Sequence, residues 1–246
     1  MRAMIFAAGL GSRLKPLTDT MPKALVPVAG QPMLEHVILK LKAAGFDDIV
    51  INIHHFGQQI IDFLKEKDNF GLRIRISDER DCLLDTGGGL KKAAPLFEGD
   101  EPILIHNVDI LSNANLKEIY LLHQESRRDA TLIVSPRKTV RYLLFDREMK
   151  LNGWINESTG QTKPEGFVYE KDRYSKYAFS GIHVVSPSLF RYMDHQWSGK
   201  FSITEFYLNT CHRAQYSAYV APQLQIMDIG KPETLPLAQQ FIAGLF

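Results

Sequence analysis

Apolar residues recur along the first half of the chain with two alternating periods. Short aliphatic runs at 4–8, Ile49–Ile53 and 102–106 read as buried strands, because they carry almost no polar side. Segment 32–44 places Met33, Leu34, Val37, Leu41 and Ala44 at helical spacing, with Pro32 at its start and Gly45 just past its end. Segment 57–67 repeats that period through Ile60, Ile61 and Leu64. Segment 72–77 alternates Ile74 and Ile76 with Arg73 and Arg75, the pattern of a strand with one solvated face. Further helices are expected near 90–96 and 116–125, and a strand at Ala130–Ser135. Repeated βα units predict an α/β fold, with a mainly parallel central sheet flanked by helices on both faces. Ligands of such sheets collect at the carboxyl ends of the strands.

The rhythm breaks between Val140 and Tyr177, where polar, Gly-containing and aromatic stretches predict an inserted region of hairpins or a lid. A strand at 177–185, a short helix after Ser186-Pro187, a helix near 203–212, strands near 216–220 and 225–228, and a last helix near 232–242 follow. With no internal repeat, low-complexity tract or clean linker, one domain over 1–246 is the economical reading, divided into halves 1–135 and 136–246.

Bulk properties narrow the chemistry. The 246 residues are 45% hydrophobic and 23% charged, ordinary for a globular protein, and the net charge of +1 argues against a dedicated nucleic-acid binder. No apolar run has the length of a membrane span, and the chain starts with a strand pattern rather than a signal peptide. Cys82 and Cys211, isolated in sequence, suit free thiols in a cytoplasmic protein. The histidines show no zinc-ligand spacing, and His54-His55 closes a strand.

The densest chemical signal follows the first strand. Met4–Ala8 opens into Gly9-Leu10-Gly11-Ser12-Arg13, and Pro22-Lys23 follows. Glycines let backbone N–H groups approach an anion, and Arg13 and Lys23 supply fixed positive charge where a polyphosphate would lie. It is not a Walker A loop, since no Gly-Lys-Ser/Thr follows the glycines. Nor is it a dinucleotide fingerprint: Leu14 stands at the third glycine position, and Pro16, Pro22, Pro27 and Gly30 delay the helix.

Ala7-Ala8-Gly9-Leu10-Gly11-Ser12-Arg13, Pro16 and Thr18, then Pro22-Lys23, Leu25, Pro27-Val28, Gly30 and Pro32-Met33, resemble the signature of the sugar-phosphate nucleotidyltransferases. The resemblance implies a Rossmann-like nucleotidyltransferase fold with an NTP-binding half (1–135) and an acceptor-binding half (136–246). It implies transfer of a nucleotidyl group from an NTP to a sugar 1-phosphate, with release of pyrophosphate and with Mg²⁺ as cofactor. Arg13 and Lys23 become the catalytic cations. Ala8, Gly9, Gly11, Ser12 and Asn107 join them around the nucleotide.

Asp109, after the apolar strand 103–105, matches the metal-binding aspartate of the family, with Val108 where a glycine is usual. Asp228, in Asp228-Ile229-Gly230-Lys231-Pro232, matches the second. Leu83–Leu90, with Thr86, Gly87 and Gly88, corresponds to the segment that lies against the base, and Glu79 stands shortly before it. Gly181, in Ser180-Gly181-Ile182, and Glu205, in Ile203-Thr204-Glu205, correspond to sugar contacts; Trp154 to Asn156 are expected to face the sugar, and Lys163-Pro164 to be the remnant of an absent E-K-P motif.

Because the sequence ends soon after Asp228, no C-terminal acyltransferase or left-handed helix domain is expected. Within the family it most resembles the N-acetylmuramate 1-phosphate uridylyltransferases, then the mannose 1-phosphate guanylyltransferases and the choline-phosphate cytidylyltransferases. A non-catalytic nucleotide-sugar sensor is the reading from another class. The expected partners are the two substrates alone, without nucleic acid or membrane, and the expected state is a monomer or homodimer.

Overall fold

The computed structural model describes residues 1–244. The first half runs β1 (Arg2–Phe6), β2 (Pro27–Val28), β3 (Gln31–Pro32), α1 (Met33–Ala43), β4 (Asp48–Ile53), α2 (Gly57–Glu66), β5 (Arg73–Asp78), α3 (Asp85–Ala93), β6 (Ile103–Asn107), β7 (Ile110–Ser112), α4 (Leu116–Ser126) and β8 (Ala130–Ser135). The second runs β9 (Arg141–Phe145), β10 (Leu151–Asn156), β11 (Thr162–Lys163), β12 (Ser175–Val185), α5 (Ile203–Thr210), β13 (Tyr216–Val220), β14 (Ile226–Asp228) and α6 (Leu235–Ala243).

One ten-stranded sheet joins the halves. Strands β5, β4, β1 and β6 lie side by side and parallel. The long β12 runs antiparallel to β6, and it also pairs with β8 and β9, with a bulge between Phe179 and His183. The inserted region is an antiparallel extension, β9–β10–β11, carried by the first residues of β12.

Side-chain alternation explains the two helical layers. Ala3 and Ile5 of β1, with Ile49, Ile51 and Ile53 of β4, pack with α1, α2 and α4 in one core. Met4, Phe6 and Val50, with Ile103 and Ile105 of β6, point the other way and pack with α3 and α5. Among the described residues no helix is long and apolar enough to cross a membrane.

Two element boundaries near the strand ends differ from the sequence expectation. Strand β1 ends at Phe6 rather than Ala8, because the N–H groups of Ala7 and Ala8 both turn to the side-chain oxygen of Asn52, at 2.7 and 3.3 Å. Helix α3 begins at Asp85, ahead of the expected 90, and so contains all three glycines. Each glycine costs about 1 kcal/mol of helix propensity, yet a Cβ on Gly87 would overlap the Phe201 ring, and one on Gly88 the Gly199 carbonyl. Packing overrides propensity there. The small strand β7 is an addition, and it pairs with β14.

Three histidines are buried within the sheet and its α4 layer. His106 donates through Nδ1 to the Asn107 carbonyl at 2.8 Å, and the His123 ring lies between Thr131 and Ser186. Burial holds His106 and His123 down to about 4 and His183 to about 3. The unfolded chain takes up these protons near pH 6.5 and the folded one only near pH 4 or below. The unfolded state therefore binds more protons in that window, and stability rises with pH across it. The expected result is a Tm that falls steadily from about pH 7 to about pH 4.5, with a shallower slope in His123→Gln. A flat Tm over that range would contradict it.

Candidate active site

A cleft of about 390 Å³ opens at the carboxyl ends of β1, β4 and β6, where Phe6, Asn52 and Asn107 form part of its wall. Ala8, Gly9, Gly11 and Ser12 bring the loop after β1 along one side. Gly11 has φ +65°, and a Cβ there would lie 2.9 Å from the Cβ of Lys23, so glycine lets the lysine pass close to the loop. The Gly11 carbonyl accepts from the Leu14 N–H at 2.8 Å and from the Thr18 hydroxyl at 2.9 Å, which closes the turn.

Charge gathers at the mouth of this cleft. Lys23 and Asp109, both nearly buried, form a direct ion pair. Arg13 reaches across, with Nη2 4.0 Å from Asp109 and Nη1 3.6 Å from Asp228. The backbone ties the two aspartates together, since the Ile229 N–H donates to the Asp109 carbonyl at 2.8 Å. Gly230 sits in the middle: its N–H donates to Asp228 at 2.9 Å, and a Cβ would lie 2.6 Å from both the Asp109 carboxylate and the Lys23 Nζ. Gly230→Ala is therefore expected to displace these groups and to lower kcat about tenfold or more, with little change in Tm. A Gly230→Ala protein with unchanged kcat would show that the cluster tolerates displacement.

Two carboxylates and two cations balance one another in this cluster. A triphosphate entering here would compete for Arg13 and Lys23 and leave Asp109 and Asp228 to a cation. Among the described residues no group of three or more His, Cys, Asp and Glu side chains is placed to hold a metal ion. Mg²⁺ is commonly held by one or two carboxylates plus phosphate oxygens and water, so this two-oxygen-donor set fits a Mg²⁺ that arrives with the nucleotide. Val108, where a glycine is usual, lines the cleft beside Asp109; the rest of its side chain is buried in the α1–α2–α4 core, and its N–H donates to the Phe6 carbonyl at 3.2 Å.

The remaining sequence-derived residues divide by position. Thr86 and Asn107 line the cleft. Glu79 also forms part of its wall but has no exposed surface, and burial raises its carboxyl pKa. Its oxygens accept from the Asn52 amide at 2.7 Å and from the Leu84 N–H at 3.1 Å. Rather than reaching outward to a base, Glu79 holds the β1 loop, through Asn52, to the segment before α3. Gly87 and Gly88 likewise face away from the expected role, because both N–H groups donate to the Phe201 carbonyl, at 2.9 and 3.2 Å. They provide close packing of α3 on the segment before α5.

Gly181, at φ +76°, packs against the Asn107 side chain, 2.7 Å from where its Cβ would be, and so adjoins the cleft from β12. Glu205 lines a second cavity beside it, between the β9–β10–β11 extension and α5, together with Trp154. Asn156 lies outside the lining of that cavity, and its side-chain oxygen accepts from the N–H and hydroxyl of Ser158 within its own turn. Asn52 and Lys200 are among the cleft residues to which sequence reasoning gave no role. Asn52 left a signal, as the one polar residue in the apolar run 49–53; Lys200 left none.

A parallel sheet whose strand ends present a glycine loop, two cations and two carboxylates defines a protein that handles phosphate esters of nucleotides. The chain belongs to the nucleotidyl transferase family, whose model matches residues 2–244, and it is a nucleotidyltransferase. It is 30% identical over 246 residues to an N-acetylmuramate α-1-phosphate uridylyltransferase of Caulobacter vibrioides, covering 98% of this chain and 96% of that protein. It is 33% identical over 194 residues to a mannose-1-phosphate guanylyltransferase of Arabidopsis thaliana, covering 77% of this chain and 51% of the relative. The fold matches that of HddC from Yersinia pseudotuberculosis complexed with GMP-PN, with a TM-score of 0.75, 22% identity, and coverage of 98% and 99% of the two chains.

Proposed function

We propose that this nucleotidyltransferase transfers a uridylyl group from UTP to N-acetylmuramate 1-phosphate, giving UDP-N-acetylmuramate and pyrophosphate. The observation that carries the transfer chemistry is the balanced cluster of Arg13, Lys23, Asp109 and Asp228 at the cleft mouth. The near full-length match to the Caulobacter vibrioides enzyme supports the choice of base and sugar.

A phosphate oxygen of the sugar 1-phosphate attacks the α-phosphorus in line. The new P–O bond forms as the bond to the β-phosphate breaks, and the electron pair leaves on pyrophosphate. The attacking oxygen is already anionic at neutral pH, so no general base is required. Arg13 and Lys23 turn from their carboxylates to the phosphates and offset charge growing on the α-phosphate and the leaving group. Gly9, Gly11 and Ser12 bring the loop close enough for its N–H groups to face the phosphates. When bound to Asp109 and Asp228, Mg²⁺ supplies further charge neutralisation and orientation of the phosphate oxygens.

The acceptor reading assigns the second cavity, of about 460 Å³, to the sugar, with Gly181 leading into it and Glu205 accepting from sugar hydroxyls. The match to the Arabidopsis thaliana relative supports mannose 1-phosphate with GTP as the second reading. A pyrophosphate-release grid with Mg²⁺ decides between them, crossing UTP, GTP, CTP and dTTP with N-acetylmuramate 1-phosphate, mannose 1-phosphate and phosphocholine. Release confined to UTP with N-acetylmuramate 1-phosphate is the expected outcome. Release confined to another pair would keep the mechanism and replace the substrates.

A further inference from the structure

The second cavity carries more positive charge than a neutral sugar ring needs. Arg137, Arg141 and Lys163 all line it, against the single carboxylate of Glu205. Their convergence follows from strand register. Leu143, Trp154 and Lys163 lie directly opposite one another across β9, β10 and β11, and opposed residues of antiparallel pairs share a face. Arg141 precedes Leu143 by two positions, which puts it on that face too. Arg137 comes from the β8–β9 connection and donates to the Phe179 carbonyl at 3.1 Å.

None of these cations has a carboxylate partner within 4.0 Å among the described residues. Nearby surface cations behave otherwise: Arg173 pairs with Glu170, and Lys176 with Glu157. Lys163 Nζ instead lies 5.7 Å from the centroid of the Trp154 ring, which forms an apolar floor beside it. Three unpaired cations in one cavity repel each other, a cost that an anionic ligand removes.

The position of the cavity says which anion. The reacting phosphate must stand at the cleft, beside Asn107 and Gly181, to reach the α-phosphorus. Phe179, which lines the second cavity, is two residues before Gly181 on β12, about 7 Å along a strand. On the other side, the Thr86 hydroxyl of the cleft accepts from the Ile203 N–H at 2.9 Å, next to Ser202 and Thr204 of the cavity. A sugar whose 1-phosphate occupies the cleft therefore extends its far substituents toward the three cations.

We propose that Arg137, Arg141 and Lys163 form a selector for a second anionic group on the acceptor, so that the enzyme takes sugar 1-phosphates bearing a carboxylate substituent. The proposal rests on the acceptor reading given above and goes beyond it in naming the residues and the charge that set the preference. The lactyl ether carboxylate of N-acetylmuramate 1-phosphate has this chemistry; N-acetylglucosamine 1-phosphate is the same ring without it.

The test compares kcat/KM for these two acceptors in the wild type, Arg141→Gln and Lys163→Gln, with calorimetric binding of both acceptors alongside. The wild type is expected to prefer the carboxylate-bearing acceptor by about tenfold or more, the scale of one charge-assisted hydrogen bond. Each variant is expected to lose about tenfold on that acceptor, mainly in KM, and less than about threefold on the other. Equal losses on both acceptors would overturn the proposal, because the cations would then serve the shared 1-phosphate. Unchanged selectivity in both variants would overturn it as well. If neither acceptor is turned over with any nucleotide, the proposed reaction falls, and calorimetry still decides on the selector: tighter binding of the carboxylate-bearing acceptor, lost in Arg141→Gln, upholds it, and equal binding overturns it.

Discussion

Lys23→Ala is expected to lower kcat at least about a hundredfold while the protein stays folded, the scale observed when one stabiliser of developing charge is removed. Lys23 is the most enclosed cation at the cleft, paired with Asp109 and pressed against the loop by the close approach of Gly11. It lines the cleft together with the Gly9–Ser12 loop. Removing it also leaves Asp109 with only the more distant Arg13, so Tm is expected to fall modestly as well. The two effects separate by measurement: kcat on protein shown by circular dichroism to be folded at the assay temperature reports the charge, and the melting curve reports the lost pair. Near-normal turnover in folded Lys23→Ala would remove Lys23 from the mechanism.

Asp109→Asn is the second large effect, again a loss of at least about a hundredfold in kcat. Asparagine keeps the shape and takes away the charge, so Gly230 and the Ile229 hydrogen bond to the Asp109 carbonyl remain in place. What goes is half of the oxygen-donor set and the partner of Lys23. The Mg²⁺ concentration for half-maximal rate is expected to rise together with the fall in kcat. Because Lys23 and Asp109 act as a pair, the double variant should lose far less than the product of the two single losses. Full additivity would mean that they act independently, and an unchanged Mg²⁺ requirement would mean that Asp109 is no metal ligand.

Much of this site was legible in the sequence because its parts are local. A glycine loop after an apolar strand, and an aspartate directly after another, report their own positions once strand ends are recognised, and the structure brings Arg13, Lys23, Asp109 and Asp228 together from four separate segments. The parallel core was legible for the same reason: β1, β4 and β6 are buried on both faces, and their apolar runs are nearly unbroken.

What stayed hidden depends on contacts across long sequence separations. The helical conformation of the three glycines in α3 makes sense only once Phe201 and Gly199 have come to lie against Gly87 and Gly88, and Glu79 and Asn52 against Gly89. The burial of Glu79 depends on Asn52, which looks from sequence like one polar interruption of a strand. Asn156 read as a sugar contact by its place in the chain, but an Asn at a hairpin turn bonds its own backbone, and here it binds Ser158. The cations of the second cavity converge only through the register of β9, β10 and β11, which no local pattern encodes.

The central claim is that the cleft joins UTP to an acidic sugar 1-phosphate. Its most direct test is to incubate the purified protein with UTP, N-acetylmuramate 1-phosphate and Mg²⁺, and to quantify products by mass spectrometry. The account predicts UDP-N-acetylmuramate and pyrophosphate in equal amounts, with formation abolished by omission of either substrate and strongly reduced in Lys23→Ala. A folded protein that binds nucleotide yet forms no nucleotide sugar with any NTP and acceptor of the grid would contradict it, and would make the protein a nucleotide-sugar sensor instead.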